Sequence, residues 1–289
     1  MKTIYFILGQ TATGKTARAA LLAREIDGEL INCDSRQVYR HLDIITGKSD
    51  NPPDIPMHMV DIVDPSLRYS AHEYAVSAKL IIDDIVVRGK SPIIVGGTGL
   101  YAYYLLHLNP DRATPEIPLD AGETNRIDSL PISELQHEIM EYDQHAVDTL
   151  NESDRSNPHR LGSLLKKLRN PHYKAPLSPT VTLESHTSLA ITVLLYEKSE
   201  EMRSRITRRV EDRMKSGAIE ECKQLLSAGY TPDMPGLKTL GYAQIYAYLN
   251  EQISLDEAQQ TWVSKEIQYA KRQKTYMQKY FVDARFEMV

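Results

Sequence analysis

Gly9-Gln10-Thr11-Ala12-Thr13-Gly14-Lys15-Thr16 fits the pattern G-x-x-x-x-G-K-[ST] of a phosphate-binding loop. The apolar run Ile4–Leu8 before it reads as a buried strand, and Ala17–Ile26 after it as a helix. That strand–loop–helix setting is the context the motif requires. Glycines let the backbone wrap an anion, and the N–H groups at the helix start point at it. Gly9, Thr11, Ala12, Thr13 and Gly14 form the cradle, Lys15 adds a point charge, and Thr16 offers a hydroxyl to Mg²⁺. The loop specifies a phosphate or diphosphate ligand. It leaves open which one, and whether the ligand is a nucleotide such as ATP.

Outward from the loop, strands and helices alternate, which predicts an α/β fold with a P-loop NTPase-like parallel sheet flanked by helices. Further strands are expected at Glu29–Cys33, Met57–Val63, Pro92–Val95 and Leu189–Tyr196. Ala71–Arg88 carries apolar residues at helical spacing and stops at Gly89. The texture then changes. Asn109–Pro118 and Asn170–Pro179 read as Pro-rich linkers around helices at Ser133–Leu150 and His159–Leu168. This places a mostly helical insertion at 116–182, with the core formed by 1–115 and 183–289. Glu200–Ser216, Ala218–Ala228, Tyr242–Asn250 and Leu255 to about Phe281 read as helices.

Of the 289 residues, 42% are hydrophobic and 25% charged, the profile of an ordinary globular chain. No apolar run is long enough to span a bilayer. The first strand begins within a few residues of Met1, which leaves no room for a signal peptide. Cys33 and Cys222 form neither a disulfide framework nor a metal-ligand spacing, so a reduced, cytoplasmic protein is expected. Nothing predicts a coiled coil, and a monomer is the expected state.

The net charge is −5, yet cations cluster. Arg155 through Leu183 contains no acidic residue but carries Arg155, Arg160, Lys166, Lys167, Arg169 and Lys174. Lys265, Lys271, Arg272, Lys274 and Lys279 recur among Tyr269, Tyr276, Tyr280 and Phe281. Such stretches either bind a polyanion or are solvated helix faces.

Open α/β sheets place ligands at the carboxyl ends of their strands. Three features converge on that rim: the phosphate loop, Asp34-Ser35-Arg36-Gln37-Val38-Tyr39, and Gly96-Gly97-Thr98-Gly99-Leu100-Tyr101. Asp34 reads as a helix N-cap, a Mg²⁺ ligand, or a general base or substrate clamp. ATPases usually end a second apolar strand in an Asp that holds the water shell of Mg²⁺. Here Pro92–Val95 ends in glycines, with Asp61 or Asp64 as the substitutes. A small-metabolite kinase and a non-catalytic nucleic-acid-binding protein are the competing classes.

Together these segments resemble the tRNA dimethylallyltransferase (tRNA isopentenyltransferase) family. The resemblance rests on the phosphate loop, Asp34–Tyr39, Asp61–Pro65 with Tyr69–Ala71, and Gly89–Tyr101. It continues through Arg205, Arg209, Gly217, Gly241-Tyr242, Gln244, Ala270–Gln273 and Thr275. Gln10 stands for the family's Pro and Thr13 for its Ser. Leu161–Lys166 departs from the family's Leu-x-Arg-Ala-Leu-Glu.

The resemblance implies that the loop holds dimethylallyl diphosphate and that the acceptor is an adenosine beside the tRNA anticodon. Its N6 would attack the prenyl group and pyrophosphate would leave. Asp34 would be the general base, with Thr11 and Thr98 orienting the site. Lys15, Thr16 through Mg²⁺, and Arg205 or Arg209 would stabilise the leaving group. Ser35, Arg36, Gln37 and Thr98 would line the adenosine's channel. His159, Arg160, Lys238, Thr239, Gly241, Tyr242, Lys271 and Arg272 would touch the RNA elsewhere, the insertion gripping the anticodon stem-loop.

Overall fold

The computed structural model of the protein describes residues 2–48, 51–108, 121–148, 150–169 and 188–289. Both Pro-rich linkers and both boundaries of the expected insertion fall outside the described residues. The chain divides into two compact units, Met1–Pro110 with Val181–Val289, and Asp111–Thr180.

In the first unit six parallel strands form one sheet. They are β1 (Thr3–Gly9), β2 (Gly28–Asn32), β3 (Met57–His58), β4 (Ser91–Gly96), β5 (Ser188–Leu195) and β6 (Arg285–Met288), in the order β3-β2-β4-β1-β5-β6. Period-two alternation divides their side chains between two layers. Ile4, Phe6, Leu8, Ile94, Val193 and Leu195 face one core, shared with α2 (Ala71–Val87) and α3 (Gly99–Leu106). Ile7, Leu30, Ile93, Val95 and Leu194 face the other, under Ala19, Ala20 and Ala23 of α1 (Lys15–Ile26). Burial on both faces explains why these strands are almost continuously apolar in sequence.

The expected third strand, Met57–Val63, contracts to Met57–His58 because Met59 and Asp61 turn the backbone to φ 64° and 57°. β6 was not expected. It adds at the far edge by pairing Thr192–Leu195 with Arg285–Met288.

The second unit contains α4 (Ala121–Ser129), α5 (Ile132–Tyr142), α6 (Glu152–Arg155) and α7 (Pro158–Arg169) around Ile127, Leu135, Ile139, Leu161 and Leu165. The predicted helix Ser133–Leu150 ends at Tyr142. There the Asp143 side chain accepts from the amide of His145 at 3.0 Å and starts a turn.

Back in the first unit come α8 (Ser199–Lys215), α9 (Ala218–Ser227), α10 (Tyr242–Leu249) and α11 (Leu255–Tyr280). Ser254 and Glu257 cap α11 reciprocally. Its buried stripe runs Ala258, Trp262, Glu266, Ala270, Gln273, Met277. Two polar residues on that stripe are the informative exceptions, and both lead to the site.

Candidate active site

Register fixes the rim. Leu8 of β1 pairs with Gly96 of β4, and Asn32 of β2 pairs with Val95. The loop after β1, the Asp34 segment after β2 and the Gly97–Thr98 turn after β4 therefore lie side by side. This packing leaves no room for side chains at the glycines. A Cβ on Gly96 would sit 2.1 Å from the Cys33 carbonyl oxygen, and one on Gly9 2.2 Å from that of Leu194.

The phosphate loop is braced from several directions. Gly14 precedes α1 at φ 82°, a left-handed conformation suited to glycine. The Thr13 hydroxyl donates to the Gln10 carbonyl at 2.8 Å, and the Tyr196 hydroxyl to the Ala12 carbonyl at 2.5 Å. Gln10 is buried. Its side-chain amide donates to the Ala270 carbonyl at 3.0 Å and accepts from the Tyr196 amide at 2.8 Å. The residue that departs from the family pattern thus ties the loop to α11 and to the end of β5.

Gln273 of α11 spans two rim loops. Its oxygen accepts from the Thr11 amide at 2.8 Å and its nitrogen donates to the Gly97 carbonyl at 2.8 Å. Arg209 of α8 donates from Nη1 to the Thr11 hydroxyl at 2.7 Å.

These groups line a pocket with a cavity volume of about 50 Å³, bounded by Thr11, Lys15, Thr16, Asp34, Arg209 and Gln273 among others. Lys15 folds its Nζ onto the Gln10 carbonyl at 2.5 Å. Burial, reinforced by the positive charge of Arg209 and opposed by Asp34, brings its ammonium down to about 7. Asp34 accepts at Oδ1 from the Arg36 amide at 2.9 Å, and its own amide donates to Asn32 at 3.0 Å. Asp34 is thus held by backbone bonds at the pocket wall and is not consumed in an ion pair among the described residues.

A second, more open pocket of about 320 Å³ lies against the same segment, lined by Ser35, Arg36, Tyr101, Lys238, Thr239 and Arg272 among others. Asp34 and Gln37 face the first pocket, and Ser35 and Arg36 the second. Thr98 fastens this partition, its hydroxyl accepting from the Ser35 amide at 2.9 Å. Arg36 donates to Glu266 at 2.8 Å and lies 4.2 Å over the Tyr269 ring. Glu266 is buried, and the cationic Arg36, Arg213 and Arg209 hold its carboxyl below the usual range against the opposing effect of burial. Sequence reading missed Glu266, and met Gln273 only as part of a motif. The signal for both was a polar residue on the apolar stripe of a long helix.

Other expected residues lie elsewhere. Arg205, one turn before Arg209, pairs with Glu201 at 2.7 Å and lies 5.8 Å over the Tyr196 ring. Asp61 pairs with Lys48, and Asp64 accepts from Ser66 and from the Tyr230 hydroxyl, so neither reaches the phosphate loop's pocket. Gly241 and Tyr242 were expected at an RNA surface and instead are buried. Tyr242 is 0% exposed and its hydroxyl donates to Glu221 at 2.6 Å. The same carboxylate accepts from the amides of Asp43 and Ile44 at 2.8 and 2.5 Å. These two residues therefore anchor α10 and the 43–45 loop.

In the second unit, α7 carries His159, whose side chain lies outside the described residues, and Arg160, which pairs with Asp154. Lys166 pairs with Asp128 at 2.7 Å and Arg169 with Glu138 at 2.7 Å. Much of the basic stretch is neutralised within its own unit.

A parallel sheet with a phosphate loop after its first strand, and a carboxylate beside that loop in one pocket, defines a phosphate-loop enzyme class. The model of the family described as IPP transferase matches residues 37–280. The chain belongs to that family. It is 35% identical over 286 residues to tRNA dimethylallyltransferase 2 of Geotalea uraniireducens, covering 96% of this chain and 90% of that protein. It is 34% identical to the tRNA dimethylallyltransferase of Caldanaerobacter subterraneus, covering 96% and 89%. The tRNA isopentenylpyrophosphate transferase of Bacillus halodurans superposes with TM-score 0.68 at 27% identity, covering 99% of this chain and 89% of that one. A eukaryotic dimethylallyltransferase acting on tRNA gives TM-score 0.75 at 25% identity, covering 96% and 70%.

Proposed function

We propose that this protein transfers the dimethylallyl group from dimethylallyl diphosphate to N6 of the adenosine on the 3′ side of the anticodon in tRNA, releasing pyrophosphate. The observation that carries this reading is one pocket holding both the phosphate loop and Asp34. It gives the leaving diphosphate and the nucleophile's proton their separate acceptors in a single space.

The diphosphate sits in the cradle from Gly9 to Gly14, with the prenyl C1 toward Asp34. The adenosine approaches from the pocket beyond the partition, lined by Ser35 and Arg36. An adenine buried this far must leave its stack, which is least costly in an unpaired loop. N6 forms a bond to C1 as the C1–O bond breaks, and the electron pair leaves with pyrophosphate. Asp34 takes the N6 proton on its carboxylate. Lys15, Arg209 and the loop amides meet the charge that develops on the diphosphate. Arg209 suits this through its planar fork, and its bond to Thr11 fixes that fork in place.

Mg²⁺ fits this donor set as an ion held mainly by the substrate. Thr16 offers one hard oxygen, and no cluster of three or more His, Cys, Asp or Glu stands ready to hold a metal among the described residues. Bound with the diphosphate, it would supply further neutralisation of the leaving group.

The tRNA is the macromolecular substrate, and the protein acts as a cytoplasmic monomer. Both cysteines are buried free thiols, and no described helix is long and apolar enough to cross a membrane. Transfer of label from dimethylallyl diphosphate to unmodified tRNA tests the reading. ATP turnover without tRNA would favour a kinase.

A further inference from the structure

α11 and α3 carry aromatic residues that the site does not use. Tyr276 and Tyr280 of α11 lie with ring centroids 4.5 Å apart, and Tyr280 meets Tyr103 of α3 edge-on at 5.2 Å. Tyr103 stacks on His107 at 4.2 Å and meets Tyr104 at 6.4 Å. Tyr104 and Tyr280 remain 37% and 39% exposed. Lys279 sits 5.0 Å over the Tyr280 ring.

Three relations give the patch a direction. It is continuous with the second pocket: Arg272 lines that pocket, Tyr276 follows one turn later, and a Cβ on Gly99 would sit 2.5 Å from the Tyr276 ring. Its cations are unspent: Lys271, Arg272 and Lys279 have no carboxylate partner among the described residues, unlike Arg160, Lys166 and Arg169 of the second unit. Its charge has one sign: neither α3 nor the segment Tyr269–Tyr280 contains an acidic residue. A protein partner's apolar face would need no row of unpaired cations, whereas an unpaired nucleic-acid strand presents flat bases and phosphates in alternation.

We propose that this stripe is a stacking track for RNA. Unpaired bases flanking the target adenosine lie on Tyr104, Tyr276 and Tyr280, while Lys279 and Arg272 meet the adjoining phosphates. The inference rests on the tRNA reading above and extends it to the nucleotides outside the reacting pocket.

The test uses the full chain and an anticodon stem-loop RNA with 2-aminopurine at a loop position next to the target adenosine. Tyr280→Ala and Tyr104→Ala should each weaken RNA affinity on the order of ten-fold and reduce the fluorescence quench. They should raise KM for RNA and leave kcat unchanged, and Tyr280→Phe should restore both affinity and quench. Lys279→Ala should lower the slope of log affinity against log salt by about one. The proposal is overturned if folded alanine variants bind like wild type, or if Tyr280→Phe loses as much as Tyr280→Ala. It is also overturned if the patch instead joins two copies, seen as a dimer in sedimentation that Tyr280→Ala dissociates without moving RNA affinity. Wild-type protein that neither binds nor prenylates RNA would remove the tRNA reading as well. Wild-type protein that does both, with unaffected variants, would remove the track alone.

Discussion

Arg209 and Thr11 stand 198 positions apart in sequence, yet the guanidinium donates to the threonine hydroxyl at 2.7 Å. The bond joins α8 to the phosphate loop and sets the fork of Arg209 against the pocket that Lys15 and Thr16 also line. Arg209→Lys keeps the charge and loses the fork. Removing one such donor from a leaving-group site costs on the order of 10²-fold in kcat. Single-turnover transfer should fall by that order while tRNA affinity stays near wild type. An equal loss of both would move Arg209 out of the diphosphate site.

Asp34 is a general base only if the proton matters more than the shape. Asp34→Asn keeps the shape and the amide contact from Arg36. Transfer should fall roughly 10²- to 10⁴-fold, with tRNA binding largely retained. Retained transfer in the Asn variant would assign the proton to another acceptor.

If the loop holds the diphosphate as proposed, the Lys15 ammonium, brought to about 7, should make its binding sensitive to pH. Only the cation attracts the anion, and a bound diphosphate raises the pKa again. Below pH 7 the free protein already carries the charge. Above it, each binding event must take up a proton, and affinity falls by up to about ten-fold per pH unit. Calorimetry at pH 8 in buffers of different ionisation enthalpy should report net uptake approaching one proton. Affinity that stays flat from pH 7 to 9 with no uptake would contradict this placement of Lys15.

Far from the site, buried Glu29 pairs with Arg88, His58 and Lys90 at the amino-terminal side of the sheet. Its side-chain bond from Arg88 is the largest influence, and its carboxyl is held down to about 2 from 4.5. A lowered carboxyl pKa gives stability that is complete above about 4.5 and is lost as pH falls toward 2. Glu29→Gln should therefore cost on the order of 2–3 kcal/mol at pH 7, allowing for the exposure of Arg88 and Lys90. In urea unfolding, the gap between variant and wild type should shrink below pH 4.5 and close as pH approaches 2. A constant gap across that range would assign the loss to packing.

How far these features could be read from sequence depended on how local they are. The phosphate loop, the carboxylate after β2 and the glycines after β4 were legible because each is a short motif at a strand end, where the fold class itself places ligands. The choice between Arg205 and Arg209 was not. They lie one turn apart on the same helix, and only the packing of α8 decides which reaches Thr11. Tyr242, read as the start of a helix, was placed at the RNA only by the family resemblance, because nothing local reveals that the Glu221 carboxylate accepts from its hydroxyl. β6 was missed because Arg285–Met288 is too short to show a period. The bridge by Gln273 is a tertiary fact, though its buried position on α11 follows from the spacing of its apolar neighbours.

That bridge gives a sharper prediction at Gly97. A Cβ there would fall 2.2 Å from the Gln273 amide nitrogen. Gly97→Ala should push Gln273 off both Thr11 and the Gly97 carbonyl, lowering kcat at saturating substrates with a modest effect on melting temperature. If transfer survives, the bridge is a packing device and does not align the two loops.

The central claim is that one pocket holds a prenyl diphosphate within reach of an adenosine amine. The most direct measurement incubates the protein with Mg²⁺, labelled dimethylallyl diphosphate and unmodified tRNA, digests the RNA and locates the label. The account predicts label on N6 of the single adenosine 3′ to the anticodon, with an equal amount of pyrophosphate released. RNA that stays unlabelled, despite tRNA bound and diphosphate present, would contradict it.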